Sequence, residues 1–193
     1  RFAQDSNLSK LDDVIKDCDM FLGLSGPGVL TSKMVLKMNK QPIIFALANP
    51  DPEINPADAL KVAPDAMIAT GRSDYPNQVN NVLCFPFIFR GALDVGATKI
   101  NDEMKLACIH AIANLARQTS TAETVEAYQG EILKFGKEYL IPKPFDPRLL
   151  PNVAVAVAEA AMKSGVASRP LKDVGAYKQK LEGSVYKSTT VSY

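Results

Sequence analysis

Pro42-Ile-Ile-Phe-Ala-Leu-Ala48, followed at once by Asn49-Pro50-Asp51-Pro52, decides the fold. The apolar run, with its β-branched and aromatic members, is the clearest strand pattern in the chain. The two prolines that follow cannot donate to a sheet ladder, so the strand has to end there. Upstream, an amphipathic stretch at residues 11–17 leads into Met20-Phe-Leu-Gly-Leu24, apolar on both faces like a buried parallel strand. The turn Ser25-Gly-Pro-Gly28 comes next, then a helix from about Thr31, with Thr31 or Ser32 available as N-cap and Met34, Val35 and Met38 on one face. Gln41-Pro42 breaks that helix. Downstream, a short helix over residues 56–62 returns the chain to a third strand, Ala66-Met-Ile-Ala-Thr70.

Strands alternating with helices in this way build a parallel sheet. Three strands are few for a doubly wound sheet, so this one reads as unfinished on its N-terminal side. A polar loop, residues 71–78, delivers Asn80 and Asn81 to the head of a long apolar segment, residues 82–95. Pro86, Gly91 and Gly96 predict a kinked or split helix there, packed closely on the sheet. Beyond residue 100 the pattern is helical only. Asn101-Asp-Glu103 caps a helix running to about Gln118, with Leu106, Ile109, Ile112, Ala113 and Ala116 inward. Further helices are expected over residues 121–137 and 151–163, separated by a proline-rich loop, and the tail from Ser168 is more basic and less apolar. The fold class expected is α/β: a partial Rossmann-like parallel sheet over residues 1–100, then a helical extension over residues 101–193.

Composition narrows the function. The 193 residues are 47% hydrophobic and 22% charged, which suits a globular chain. Lys plus Arg (22) and Asp plus Glu (21) nearly cancel, so no global field draws the chain to nucleic acid or to an anionic membrane. No apolar run approaches the roughly 18–20 residues of a membrane span. Cys18, Cys84 and Cys108 are odd in number and set among apolar residues, which fits reduced thiols in the cytoplasm better than a disulfide framework. The single His110 has no Ser, Cys or acidic partner at a telling spacing and reads as a core or surface residue. The scattered carboxylates form no cluster of the kind a hard divalent metal requires, so no metal ligand is assigned in this chain.

Ligands of open parallel sheets bind beyond the carboxyl ends of the strands. Three loops meet that condition: residues 25–28, 49–52 and 71–81. Asn49 carries donors and an acceptor suited to a ligand with carboxylate, hydroxyl and amide groups, although Asn-Pro-Asp-Pro is equally the composition of a plain turn. One of Asn80 and Asn81 serves as a helix cap, which leaves the other unexplained. Gly23-Leu-Ser25-Gly26-Pro-Gly28 has the glycine spacing of a dinucleotide fingerprint reversed, and Pro27 lacks an amide donor. Either the backbone there approaches a flat ligand such as a nicotinamide ribose, or it forms an ordinary turn.

Phe45-Ala-Leu-Ala-Asn-Pro-Asp-Pro-Glu53 and Ala69-Thr-Gly-Arg-Ser-Asp-Tyr-Pro-Asn-Gln-Val-Asn-Asn-Val-Leu-Cys-Phe-Pro86 resemble the malic enzymes, the bacterial NADP-dependent type in particular. The likeness continues through Gly23-Leu-Ser-Gly-Pro-Gly-Val-Leu-Thr31, Ile100-Asn-Asp-Glu-Met-Lys105, Ile141-Pro-Lys-Pro-Phe-Asp-Pro-Arg148 and Ala167-Ser-Arg-Pro170. This resemblance implies oxidative decarboxylation of (S)-malate to pyruvate and CO2 with NADP or NAD and Mg²⁺ or Mn²⁺. It implies malate contacts at Asn49, Asn80 and Asn81, and cofactor contacts at Asn49, Asn80, Ser25, Gly26 and Gly28. The family's catalytic tyrosine and lysine, its metal carboxylates and its Gly-rich fingerprint match nothing here. The expectation is therefore a C-terminal part of a malic enzyme, inactive alone and homo-oligomeric (dimer or larger) as the complete protein, with residues 1–100 forming the later half of the cofactor domain. The alternatives are a fragment of another nicotinamide-dependent dehydrogenase and a non-catalytic oligomerisation module.

Overall fold

The computed structural model describes residues 5–128, 130 and 133–188. The chain divides into two compact units, residues 1–79 and residues 80–193.

In the first unit β1 (Met20–Gly23), β2 (Ile43–Ala46) and β3 (Met67–Thr70) form a parallel sheet in the order β1-β2-β3. The register sets Phe21, Ile44 and Ile68 in one row and Gly23, Ala46 and Thr70 in the next, both on the face covered by helices. That cover comes from α1 (Leu11–Val14), α2 (Ser32–Val35) and α3 (Pro56–Val62), whose apolar sides join Phe21, Ile44 and Ile68 in one core. α2 starts on the cap read from the sequence, and α3 has the bounds expected, with a cap the sequence reading did not name. The Thr31 hydroxyl accepts from the Met34 N–H, and the Asn55 side chain accepts from the Ala57 N–H ahead of Pro56. Gln41, at φ 55°, takes the left-handed turn between α2 and β2.

One expectation is overturned here. β1 is not buried on both faces: Met20 is 46% exposed and Leu22 55%, while Phe21 and Gly23 are covered. Apolarity on both faces recorded a strand whose second face meets nothing among the described residues.

The second unit is helical. A 3-10 turn, Asn81–Leu83, precedes α4 (Phe87–Asp94), and the division at Pro86 is the expected split. The close packing that the glycines imply is onto α7 (Leu149–Lys163), a helix of the same unit, where the sequence had suggested the sheet. A Cβ at Gly91 would run into the Ala154 carbonyl oxygen and stand 3.0 Å from Val157 Cβ. α5 (Asp102–Arg117) is capped by Asn101 as expected, but its inward face is Met104, Cys108, Leu115 and Ala116. Leu106 (54% exposed) and Ile109 (58%) face outward, against expectation. A largely apolar helix offers more than one stripe, and packing against α7 selects among them.

The helix expected over residues 121–137 is shorter: α6 ends at Ala127 (Ala122–Ala127), and Gly130, at φ 91°, donates its N–H back to the Val125 carbonyl. A glycine in the left-handed region is a helix stop. Residues 129, 131 and 132 of that expectation lie outside the described residues. In the basic tail an unexpected helix, α8 (Val174–Ser188), buries Tyr177 and Leu181 against the same core. The Asp173 carboxylate accepts from the Ala176 N–H at its start.

The three cysteines are free, and the Cys108 thiol donates to Cys84 Sγ at 3.4 Å. Burial, with that contact, pushes the Cys108 thiol up to about 12. Among the described residues no helix is long and apolar enough to cross a membrane.

Replacing Gly91 by Ala overpacks the α4 contact with α7, so Gly91→Ala is expected to destabilise the folded protein by about 1–3 kcal/mol in denaturant unfolding. An unchanged midpoint would contradict the packing described.

Candidate functional site

The loops that leave the carboxyl ends of the strands are tied together inside the first unit by residues close to the quoted strand. From the end of β2 at Ala46 the chain continues through Leu47 and Ala48 to Asn49, and the Pro50-Asp51-Pro52 turn brings Glu53 back to the Ala48 amide. Glu53 is fully buried, at 0% exposure. Its Oε1 accepts from the Ser25 N–H at 2.8 Å and lies 3.3 Å from the Ser25 hydroxyl, while its Oε2 accepts from the Ala48 N–H at 3.1 Å. Its own carbonyl accepts from the Leu30 N–H at 3.0 Å, so the far end of the residue 25–28 turn is held too. Gly23 is what admits this carboxylate: a Cβ there would stand 2.6 Å from Glu53 Oε1 and 2.7 Å from the Phe21 ring. Burial by itself raises a carboxyl pKa, but the hydrogen bonds from Ser25, Ala48 and its own backbone outweigh it and hold Glu53 below its ordinary value.

The turn so anchored offers backbone. The Ser25 N–H is already donated and Pro27 has none, so the remaining amide donors belong to Gly26 and Gly28. Among the described residues neither finds a protein acceptor. Gly28 has φ 73°, which favours glycine, and a Cβ at Gly26 or Gly28 would meet nothing within 4 Å. Among the described residues no neighbour requires the absence of a side chain at Gly26.

Asn49 is exposed, with its carboxamide against the next loop: a Cβ at Gly71 would stand 2.8 Å from Asn49 Nδ2. Arg72 extends that link. It makes a two-pronged pair with Asp74 at 2.8 Å and lies 3.6 Å from Asp51 of the proline turn. The hydrogen bond to Asp74 is the main cause raising the Arg72 pKa, and the same bond lowers that of Asp74. Asn77, buried and at φ 58°, donates Nδ2 to the Ile68 carbonyl at 2.9 Å and pins the loop under β3. Asparagine tolerates this left-handed conformation.

Of the residues expected at a site, the first unit therefore brings together Ser25, Gly26, Gly28 and Asn49. Asn80 and Asn81 belong to the second unit, where their roles divide. The Asn80 side chain accepts from the Val82 N–H at 3.1 Å and caps the 3-10 turn. Asn81 is exposed. His110 is a surface residue of α5. Among the described residues, no three His, Cys, Asp or Glu side chains gather as metal ligands would. The residue missed by sequence reasoning is Glu53. Its signal was present, as an acidic residue directly after a double-proline turn and before the apolar Ile54.

A family model described as malic enzyme, NAD binding domain, matches residues 1–128. The chain is 62% identical over 186 residues to the NADP-dependent malic enzyme of Salmonella typhimurium, covering 96% of this chain and 24% of that protein. It is 56% identical over 187 residues to an NAD-dependent malic enzyme of Rhizobium meliloti, covering 97% and 24%. Among solved structures, the malic enzyme from Pyrococcus horikoshii Ot3 matches with a TM-score of 0.74 and 39% identity, over 94% of this chain and 38% of that one. The chain thus spans about a quarter of the length of the curated relatives it matches.

The folded-state pKa of Glu53 lies below the unfolded value of about 4.3. Its ionised form therefore contributes stability that is fully present above that value and is lost as pH falls through the depressed folded pKa. In urea unfolding at a series of pH values, wild type is expected to exceed Glu53→Gln most at neutral pH, with the gap narrowing below about pH 4. A gap independent of pH would contradict an ionised Glu53.

Proposed function

The chain belongs to the malic enzyme family, within whose NAD-binding domain it falls, and on that premise we propose that the complete protein oxidatively decarboxylates (S)-malate to pyruvate and CO2 while reducing NADP or NAD. The observation that carries this reading is the residue 25–28 turn, where among the described residues the Gly26 and Gly28 amides find no protein acceptor and the space at both glycines is open, at the carboxyl end of β1. That is where an open parallel sheet takes a nucleotide. A nicotinamide cofactor bound there supplies the acceptor for the hydride leaving malate C2.

On this reading Ser25, Gly26 and Gly28 line the cofactor with backbone, and Asn49 stands where substrate and nicotinamide meet. A carboxamide is suited to that place. It donates to a carboxylate or hydroxyl and accepts from an amide without adding a charge. To Asn80, which also caps the 3-10 turn, this reading assigns a contact with substrate and cofactor, and to the exposed Asn81 a carboxamide contact with malate. Residues 1–100 form the later half of the cofactor domain, and residues 101–193 a helical extension of it.

The described side chains do not assemble a donor set for Mg²⁺ or Mn²⁺. We assign those ligands, with the catalytic tyrosine and lysine, to parts of the protein outside this chain. The free thiols fit a reducing compartment, the cytoplasm. The complete protein is proposed to be a homo-oligomer.

The test is malate-dependent formation of reduced nicotinamide with Mn²⁺ present, followed by absorbance, on the complete protein and on residues 1–193 alone. Activity in the first and silence in the second is expected. Silence in a folded complete protein, or turnover by the chain alone, would overturn the reading.

The two asparagines separate when that assay is run beside denaturant unfolding of the complete protein. Asn80→Ala is expected to cost about 1 kcal/mol of stability as a lost cap, besides impairing turnover. Asn81→Ala should leave the unfolding midpoint unchanged and raise KM for malate about tenfold, since it removes a hydrogen bond to a charged group. Equal midpoints for the two variants would contradict this division.

A further inference from the structure

Glu53 does more than close a turn. It is a charge with no exposure to water, and among the described residues no lysine or arginine forms an ion pair with it. Burying an unpaired carboxylate is expensive, and here the cost is offset by donors from two different loops. One is the N–H of Ser25, with its hydroxyl at longer range; the other is the N–H of Ala48, immediately before Asn49. An apolar residue could fill the same space at less cost. A group with two acceptor oxygens gives each donor its own partner, Oε1 for Ser25 and Oε2 for Ala48, and so fixes one loop against the other.

From this geometry we propose that Glu53 is the positioning residue of the cofactor site: its carboxylate sets the residue 25–28 turn against the β2 exit, so that the Gly26 and Gly28 amides and the Asn49 carboxamide face one bound nicotinamide cofactor. The inference rests on the function proposed above. It follows from the local chemistry that Gly23 is part of the same device, because any side chain at that position displaces the carboxylate. Fixing a binding constellation through a supporting residue is worth as much as the contacts themselves, since a small misplacement of the turn removes several at once.

Glu53→Gln is the sharpest probe. It keeps the shape but replaces one acceptor oxygen by a donor, so that either Ser25 or Ala48 faces an NH₂ group. Glu53→Asp keeps the charge and shortens the reach. In the complete protein, binding of the reduced cofactor is titrated through its own fluorescence, alongside steady-state kinetics and thermal unfolding. Glu53→Gln is expected to weaken cofactor binding about tenfold or more, with KM for the cofactor rising in parallel. Glu53→Asp should fall between wild type and Gln. A purely structural role would lower the active fraction, and hence kcat per total protein, while leaving the cofactor Kd of the folded molecules unchanged. That result would overturn the proposal. If Glu53→Gln does not fold, the Kd of Glu53→Asp decides: weakened binding supports the proposal and wild-type binding overturns it. Wild-type protein that binds no nicotinamide cofactor would instead sink the functional reading, and the proposal with it.

Discussion

A carboxylate without water, suspended between two strand exits, is the constraint on which the first unit depends. Glu53 has to find hydrogen-bond donors, and the donors within reach are amides of the segments that leave β1 and β2. Several features of the chain follow from that need. Gly23 is small because the carboxylate occupies the volume of its missing side chain. The row Gly23, Ala46 and Thr70 at the ends of the strands is made of small residues on the buried face. Even the backbone takes part, since the Leu30 N–H is bound by the Glu53 carbonyl.

The second unit is held by a different principle. α4, α5, α7 and α8 share one apolar core, and small residues set their spacing: Gly91 lies on the backbone of α7, and Ala154, Ala158 and Ala161 of α7 are fully buried. Polar groups beside it hold one another. Asp146 accepts two hydrogen bonds from the Arg148 guanidinium, which also donates to the Thr119 carbonyl. Burial and a hydrogen bond to Asp94 raise the Tyr177 hydroxyl above its ordinary pKa, and Asp94 is shared with Arg90. This frame carries Asn80 and Asn81 at its start, on a short 3-10 turn between the polar loop and α4.

Much of this was legible because it is local. The proline turn after β2, the Thr31 and Asn101 caps and the bounds of α3 are written in a few adjacent residues. What was misread depends on partners far along the chain. Leu106 and Ile109 read as inward because they keep helical spacing, yet the contact with α7 selects Met104, Cys108 and Leu115. β1 read as buried on both faces, but only one of its faces is covered among the described residues. α8 escaped notice because its basic composition hides the single pair, Tyr177 and Leu181, that docks it. Glu53 carried only a weak local signal, its place between the double-proline turn and Ile54, and its partners lie elsewhere in the chain. A glutamate after a turn looks like a solvated charge until the fold places Ser25 and Ala48 on its oxygens.

The family relation, the open turn and the buried carboxylate support one proposal, that the loops beyond β1 and β2 take the nicotinamide cofactor. Hydrogen–deuterium exchange of the complete protein, with and without NADP and malate, tests it directly. Binding should slow exchange in peptides spanning residues 24–30 and 47–53, with little change in α7. Protection elsewhere in a cofactor-saturated protein, with those two peptides unaltered, would contradict the account.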